Sequence, residues 1–209
     1  MPDLALLYDD LAETYAAGRH LFDTTPILEE FARHLPMEAR ILDVGSGAGE
    51  PVARYFADRG DVVTGIDVSE RMLALARRRV PEADFQAMNA RALGFPPASF
   101  DGITAVYVVF HLPRVEHAAL FAGFERVLKP GGRLLLTLAT HDYTGQDEFD
   151  GEMEFLGRRL PYSHDRPEVA LGKLQAAGLT VVSARPIETG GETFYWVIAR
   201  KPNRSGGER

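Results

Sequence analysis

At 209 residues, 45% hydrophobic and 25% charged, the chain is long enough for one sizeable core and has the make-up of an ordinary globular protein. It contains no cysteine, which removes disulfides, thiolate metal sites and any cysteine nucleophile, and its net charge of -7 disfavours a polyanionic partner such as nucleic acid. No apolar run reaches the roughly 18 residues that a spanning helix needs, and Met1-Pro2-Asp3-Leu4 lacks the basic-then-apolar pattern of a secretory leader. A cytoplasmic protein with no membrane partner is expected.

In chain order, the first element is a predicted N-terminal helix carrying Tyr8, Tyr15 and Arg19. Ile41-Leu42-Asp43-Val44, a short apolar run before a glycine loop, reads as a buried strand. Pro51 suits the first turn of a helix running to about Arg59, with Gly60 as its stop. Val62 to Ile66 is a second strand. Ser69 is placed to cap a helix through Arg79, where Arg77-Arg78-Arg79 complement the C-terminal end of the helix dipole and Pro81 prevents continuation. Asp84 to Ala87 is a third strand, and Ile103 to Val109, rich in β-branched residues, a fourth.

Leu120, Phe121, Phe124, Val127 and Leu128 recur at helical spacing, with Gly131-Gly132 as the expected stop. Arg133 to Leu138 is a fifth strand. An aromatic-rich insertion, His141 to Asp165, precedes a helix from Pro167 to Ala177. Leu179 to Ala184 and Phe194 to Arg200 are the last two strands, and the polar tail from Asn203 to Arg209 is expected to be disordered. Strands alternating with helices predict an α/β fold, a doubly wound and mostly parallel seven-stranded sheet covered on both faces. Pro186 to Glu192 is too short for a crossover helix, so the last strand should be antiparallel.

In such sheets ligands bind beyond the carboxyl ends of the strands. After the first strand comes Asp43-Val44-Gly45-Ser46-Gly47-Ala48-Gly49, whose glycines run G-x-G-x-G rather than the dinucleotide pattern G-x-G-x-x-G. A carboxylate at Asp43 would repel a pyrophosphate and attract an ammonium, so a ligand with an amino-acid moiety fits better. After the second strand, Asp67 can accept both hydroxyls of a ribose and Val68 can lie against a base. A nicotinamide-dependent oxidoreductase is disfavoured by the glycine spacing and by the lack of a Tyr-x-x-x-Lys pair, the lysines being Lys129, Lys173 and Lys201.

Ile41 to Gly49, Gly65-Ile66-Asp67-Val68-Ser69, Phe100-Asp101-Gly102-Ile103 and Arg126-Val127-Leu128-Lys129-Pro130-Gly131-Gly132 occur in the order found in class I S-adenosylmethionine-dependent methyltransferases, which the chain resembles from about residue 8 to 201. The resemblance implies a Rossmann-like methyltransferase fold over residues 1–202, with an N-terminal helical lid (about 1–35) and an acceptor-side insertion (about 141–165). It implies S-adenosylmethionine as cofactor, S-adenosylhomocysteine as product, and a small-molecule acceptor methylated on O, N or S. Asp43, Gly45, Ser46, Gly47 and Gly49 would hold the methionine part and Asp67 the ribose. Val68 and Met72 would flank the adenine, Asn89 and Ala90 would meet its edge, and Val106 and Tyr107 would lie beside the methionine chain. Asn89 stands where these enzymes usually carry an aspartate.

The fourth strand lacks the Asn/Asp-Pro-Pro-aromatic motif of base-amino methyltransferases, having Ala105-Val106-Tyr107-Val108 instead. Tyr15, Arg19, His111, Phe149, Tyr162 and His164 are candidates for the acceptor site, with Tyr8, Phe110 and Phe155 as further aromatic neighbours. His111 is the candidate general base, required only for an acceptor that keeps its proton until the reaction. No metal site is expected; Asp147, Glu148, Asp150, Glu152 and Glu154 read as a solvated acidic run. The alternative is a non-catalytic protein of the same fold that retains S-adenosylmethionine or S-adenosylhomocysteine as a ligand. The sequence leaves the oligomeric state open.

Overall fold

The computed structural model describes residues 4–18 and 23–203; Arg19 and the tail from Arg204 onward lie outside the described residues. The elements run α1 (Leu4–Gly18), α2 (Thr25–Ala32), β1 (Arg40–Val44), α3 (Val52–Asp58), β2 (Val62–Asp67), α4 (Glu70–Arg79), β3 (Asp84–Ala87) and β4 (Phe100–Ala105). They continue α5 (His117–Val127), β5 (Leu128–Leu138), α6 (His141–Thr144), β6 (Phe149–Phe155), β7 (Arg158–His164), α7 (Pro167–Ala176), β8 (Thr180–Thr189) and β9 (Glu192–Arg200). Seven strands form one sheet in the order β3-β2-β1-β4-β5-β9-β8. β9 runs antiparallel to both neighbours and the others are parallel, as the sequence pattern predicts.

The sheet is apolar on both faces because neighbouring residues of one strand point to opposite sides. Ile41 packs with Phe31, Phe56 and Leu73 on the side of α2, α3 and α4, whereas Leu42 packs with Phe121, Phe124 and Leu174 under α5 and α7. Leu134, Leu135 and Leu136 divide in the same way. Continuous apolar runs in β1 and β5 are therefore the mark of strands buried on both faces. Helix α4 begins where Ser69 accepts the Met72 N–H at 3.1 Å, and it ends with Arg77, Arg78 and Arg79 in its last turn before Val80-Pro81.

Four local expectations are corrected. β4 stops at Ala105, and Val109–His111 is a single 3-10 turn, because Tyr107 adopts φ +60° and reverses the chain. Gly131-Gly132 does not end α5, which passes directly into β5 at Leu128. Those glycines form an irregularity inside β5, where Gly131 (φ +80°) donates its N–H to the Lys201 carbonyl at 3.0 Å. The segment from Pro186 is not a loop: β8 runs to Thr189 and turns into β9 through Gly190 and Gly191, both at positive φ as a two-residue hairpin turn requires. The insertion is likewise a hairpin, β6 and β7 paired from Phe149↔His164 to Phe155↔Arg158, preceded by the short α6.

Phe121 is fully buried between the sheet and α5, so Phe121→Ala should lower unfolding free energy by about 3–5 kcal/mol in urea denaturation. Val115, 83% exposed, should tolerate alanine within about 0.5 kcal/mol. The reverse order would contradict the two-faced core.

Candidate active site

The carboxyl ends of β1, β2, β3 and β4 surround a cleft of about 290 Å³, whose walls include Gly45, Gly47, Asp67, Met72, Asn89 and Val108. The glycine loop is shaped by its neighbours more than by any ligand. A Cβ on Gly45 would lie 2.1 Å from Val108 Cγ2, so the loop can approach the turn after β4 only without a side chain there. Gly47 (φ +52°) instead faces open space, its nearest neighbours being Tyr15 at 3.8 Å and the Met72 sulfur at 4.0 Å from a hypothetical Cβ.

Asp67 closes the loop from below. Its Oδ2 accepts the Gly47 N–H at 3.0 Å and its Oδ1 the Ser69 N–H at 2.9 Å. Partial burial raises its pKa against the pull of these donors, and each oxygen keeps lone-pair capacity toward the cleft. Asp43 lies deeper, with Thr104 Oγ1 donating to its Oδ1 at 2.7 Å. Burial pushes its pKa up to about 7; the Thr104 hydroxyl works against this and the nearby Asp67 charge adds to it. Asn89 sits at the exposed rim, its Oδ1 accepting the Arg91 N–H at 3.0 Å. A glycine open to the cleft, a carboxylate after β2, an amide after β3 and the apolar Val68 and Met72 suit a nucleoside carrying an amino-acid tail, so these residues fit S-adenosylmethionine.

A second cavity, about 230 Å³, adjoins the cleft and shares Tyr8, Tyr15, Tyr107 and His111 with it. Its other walls include Phe110, Phe155, Tyr162 and Phe194, with Glu192 as a carboxylate. Phe110 stacks between Tyr162 (centroids 4.9 Å, 16°) and Phe194 (5.2 Å, 19°), and Tyr143 stacks on Tyr162 in turn (5.4 Å, 13°), a pile of near-parallel rings. Tyr107 meets Phe194 edge-on at 5.0 Å and bonds through its hydroxyl to Thr189 Oγ1 at 2.9 Å.

His111 stands where the two spaces meet. Its Nδ1 lies 2.9 Å from the Pro161 carbonyl, which can only accept, so Nδ1 carries the proton. Burial pulls its pKa down to about 4, the Pro161 bond opposing, and the ring is neutral at pH 7. Nε2 is therefore a bare acceptor, and Tyr8 Oη donates to it at 2.7 Å.

Charges away from the site hold these parts in register. Arg114 bonds Glu148 at 2.6 Å and Asp150 at 2.7 Å, and its N–H donates to Ser163 Oγ at 2.7 Å, fastening β6 and β7 beside His111. Lys173 pairs with Asp165 and donates to the Arg114 carbonyl at 2.9 Å. On the opposite side, Asp9 of α1 accepts from the Ser69 hydroxyl and, at 3.1 Å, from the Arg71 N–H. The N-terminus of α4 thereby holds α1 across the cleft.

Of the residues the sequence singles out, Gly45, Gly47, Asp67, Val68, Met72, Asn89, Ala90 and Tyr107 line the cleft, and Tyr15, His111 and Tyr162 line the aromatic cavity. Asp43, Ser46 and Gly49 lie behind the loop instead; Gly49 is pressed against Val80, Ala76 and Phe85 and supports rather than lines the cleft. Val106 belongs to the core, because β4 ends just before it and the following turn delivers Val108 to the ligand side. Phe149 and His164 line neither cavity. Their pairing puts them at the open end of the hairpin, where His164 Nδ1 donates to the Asp165 carbonyl at 3.1 Å and its Nε2 accepts from Thr144 Oγ1 at 2.8 Å. Arg19 lies outside the described residues. Sequence reasoning missed Val108, Pro161, Glu192 and Phe194, which carry no motif and reach the site only through the turn after β4, the hairpin and the reversed strand.

Comparison with known proteins agrees with this geometry. Residues 41–132 match the family described as a methyltransferase domain. The chain is 39% identical over 121 residues to 27-O-demethylrifamycin SV methyltransferase of Amycolatopsis mediterranei, covering 54% of this chain and 44% of that protein. It is 34% identical over 167 residues to demethylmenaquinone methyltransferase of Renibacterium salmoninarum, covering 76% of this chain and 68% of that one. Thus the chain spans about half to two thirds of the length of these curated relatives. The crystal structure of Burkholderia thailandensis 1,6-didemethyltoxoflavin-N1-methyltransferase, with bound 1,6-didemethyltoxoflavin and S-adenosylhomocysteine, superposes with a TM-score of 0.69 at 21% identity, over 97% of this chain and 92% of that one. A shared fold, the motif order along β1 to β5 and a relative matched over two thirds of its length establish that the chain belongs to the class I S-adenosylmethionine-dependent methyltransferases.

Proposed function

We propose that the chain transfers a methyl group from S-adenosylmethionine to a small-molecule acceptor held in the aromatic cavity under α1. The observation that carries this is the junction of a cofactor-type cleft with an adjoining aromatic cavity at Tyr8, Tyr15, Tyr107 and His111. A protein that only retained the cofactor would have no use for the second space. When bound, the cofactor supplies an electrophilic methyl carbon on a sulfonium.

The chain's own part is mainly alignment, since an in-line displacement on an activated carbon gains most from fixed geometry and excluded water. Asp67 holds the ribose hydroxyls, and Val68 and Met72 sandwich the base with Asn89 and Ala90 at its edge. Gly45 and Gly47 let the amino-acid tail approach the backbone. Asp43, behind the loop, contributes its field rather than a direct contact. Tyr107 and Val108 form the wall between donor and acceptor, and α1 excludes water from above. His111 accepts a hydrogen bond from an acceptor that still carries its proton.

Two outcomes are expected in calorimetric titration with S-adenosylhomocysteine. Asp67→Ala should weaken binding at least about tenfold, because it removes charge-assisted bonds worth roughly 1.5–3 kcal/mol each. Equal binding by the variant, or no binding by folded wild-type protein, would remove the cofactor assignment. The second outcome concerns pH. Asp43 titrates near 7, so raising the pH from about 6 to about 8 ionises it and should tighten binding of a zwitterionic amino-acid tail whose ammonium faces the loop several-fold. Asp43→Asn should bind with the weaker affinity and show no such rise; a wild-type profile that falls over the same range would reverse the sign and refute the role.

A further inference from the structure

Resting on the methyl-transfer reading above, we infer that the acceptor is a neutral aromatic ring bearing a hydroxyl, whose O–H is donated to His111 Nε2 at the place that Tyr8 fills in this structure. Three features of the cavity carry this. The first is size and shape. An apolar space of about 150 Å³ accepts benzene, so about 230 Å³ takes a substituted ring or two fused rings. The rings of Phe110 and Tyr162 have both faces covered by neighbouring rings, so what they and Tyr107 present to a flat guest is their edges, as edge-on aromatic partners.

The second is charge. Among the described residues its walls carry the Glu192 carboxyl, the neutral His111 ring and tyrosine hydroxyls, a lining that matches an uncharged, hydroxyl-bearing guest. The third is the fixed polarity of His111. The Pro161 carbonyl takes the Nδ1 proton, which leaves Nε2 able only to accept, and the group it accepts from is already a phenol. Tyr8 comes from the roof helix, lines both spaces, and presents its hydroxyl to Nε2 at 2.7 Å. A phenolic acceptor can exchange with it bond for bond, whereas an ether, a tertiary amine or an ammonium would leave Nε2 buried without a donor or forfeit its own lone pair.

The chemistry balances for oxygen. The C–S bond breaks with its electron pair going to sulfur, which becomes a neutral thioether, while a lone pair of the phenol oxygen forms the C–O bond. The oxygen would then be an oxonium, so its proton passes to Nε2 as the bond forms. A histidine whose pKa is depressed to about 4 cannot ionise a phenol beforehand, yet it is amply basic toward a developing oxonium. An amine acceptor would end as a stable ammonium and would give this buried base no task.

The test uses wild-type protein saturated with S-adenosylhomocysteine and titrated calorimetrically with 1-naphthol, 1-methoxynaphthalene and 1-naphthoate. 1-Naphthol should bind at least about tenfold tighter than either, the value of one hydrogen bond that the ether cannot donate and the anion cannot make. In His111→Phe, which keeps a flat ring but removes the acceptor nitrogen, the preference for naphthol over the ether should collapse to within about twofold at saturating S-adenosylhomocysteine. Tyr8→Phe, a second and milder variant, should strengthen naphthol binding by removing the internal phenol that competes for Nε2. Binding of S-adenosylhomocysteine with no naphthol preference, or a preference that survives in His111→Phe, would overturn the phenol assignment alone. Failure to bind S-adenosylhomocysteine would overturn the methyltransferase reading and this assignment with it.

Discussion

The turn after β4 governs how the site is built. Tyr107 takes a left-handed conformation (φ +60°) that costs a non-glycine residue on the order of 1–2 kcal/mol. It is held there from three sides: its N–H donates to Thr137 Oγ1 at 2.6 Å, its hydroxyl meets Thr189, and its ring lies edge-on to Phe194 and Trp196. Two buried hydrogen bonds and two edge-on aromatic contacts, at about 0.5–1.5 kcal/mol each, contribute about 2–6 kcal/mol, enough to offset the strain. The reversal sends Val108 onto Gly45 and starts the short turn that presents His111. Because Thr137 is on β5 and Thr189 ends β8, the far half of the sheet fixes the geometry of a site whose cofactor motifs all belong to the near half.

This division explains what could be read from the sequence. β1 and β2 are legible because each is an apolar run followed closely by a glycine or a capping residue, and those signals are local. Asp67 and the glycine loop are legible for the same reason, since chemistry and turn geometry coincide within a few residues. Val108, Pro161, Glu192 and Phe194 are not, because each enters the site through a register or a reversal set by distant partners. The hairpin is an instructive miss. Phe149, Met153 and Phe155 pack on the core while Asp150, Glu152 and Glu154 point to solvent or to Arg114 and Arg159, a period of two that marks a strand. Counting the carboxylates as an acidic run hides that alternation.

Two strongly perturbed groups near the site, Asp43 and His111, are displaced in opposite directions by the same cause. Burial raises Asp43 to about 7 and lowers His111 to about 4, in each case disfavouring the charged form. Burial thus reduces the charge that Asp43 and His111 bring near neutral pH, while Asp67, Arg91 and Glu192 are the acidic and basic side chains among the described walls of the two spaces. For the proposed methyl transfer, which discharges a sulfonium, this is a coherent setting, because a junction of reduced charge gives the cationic ground state little stabilisation.

Adjacent residues of α1 reach the two halves of this arrangement. Tyr8 bonds His111 beside the acceptor cavity, and Asp9 bonds Ser69 and Arg71 at the start of the helix that carries Met72 in the cofactor cleft. Successive helical positions point about 100° apart, so one helix can satisfy both partners only in a narrow range of rotation and depth. Ala12 and Ala16 set that depth, packing with Ala48, Met72 and Leu75 where larger side chains would lift the helix. As a rigid body, α1 therefore cannot leave the acceptor side without straining its hold on the N-terminus of α4. Cofactor and acceptor sites are in this way joined by a few hydrogen bonds on one helix, and the roof over the reacting atoms is also the physical link between them.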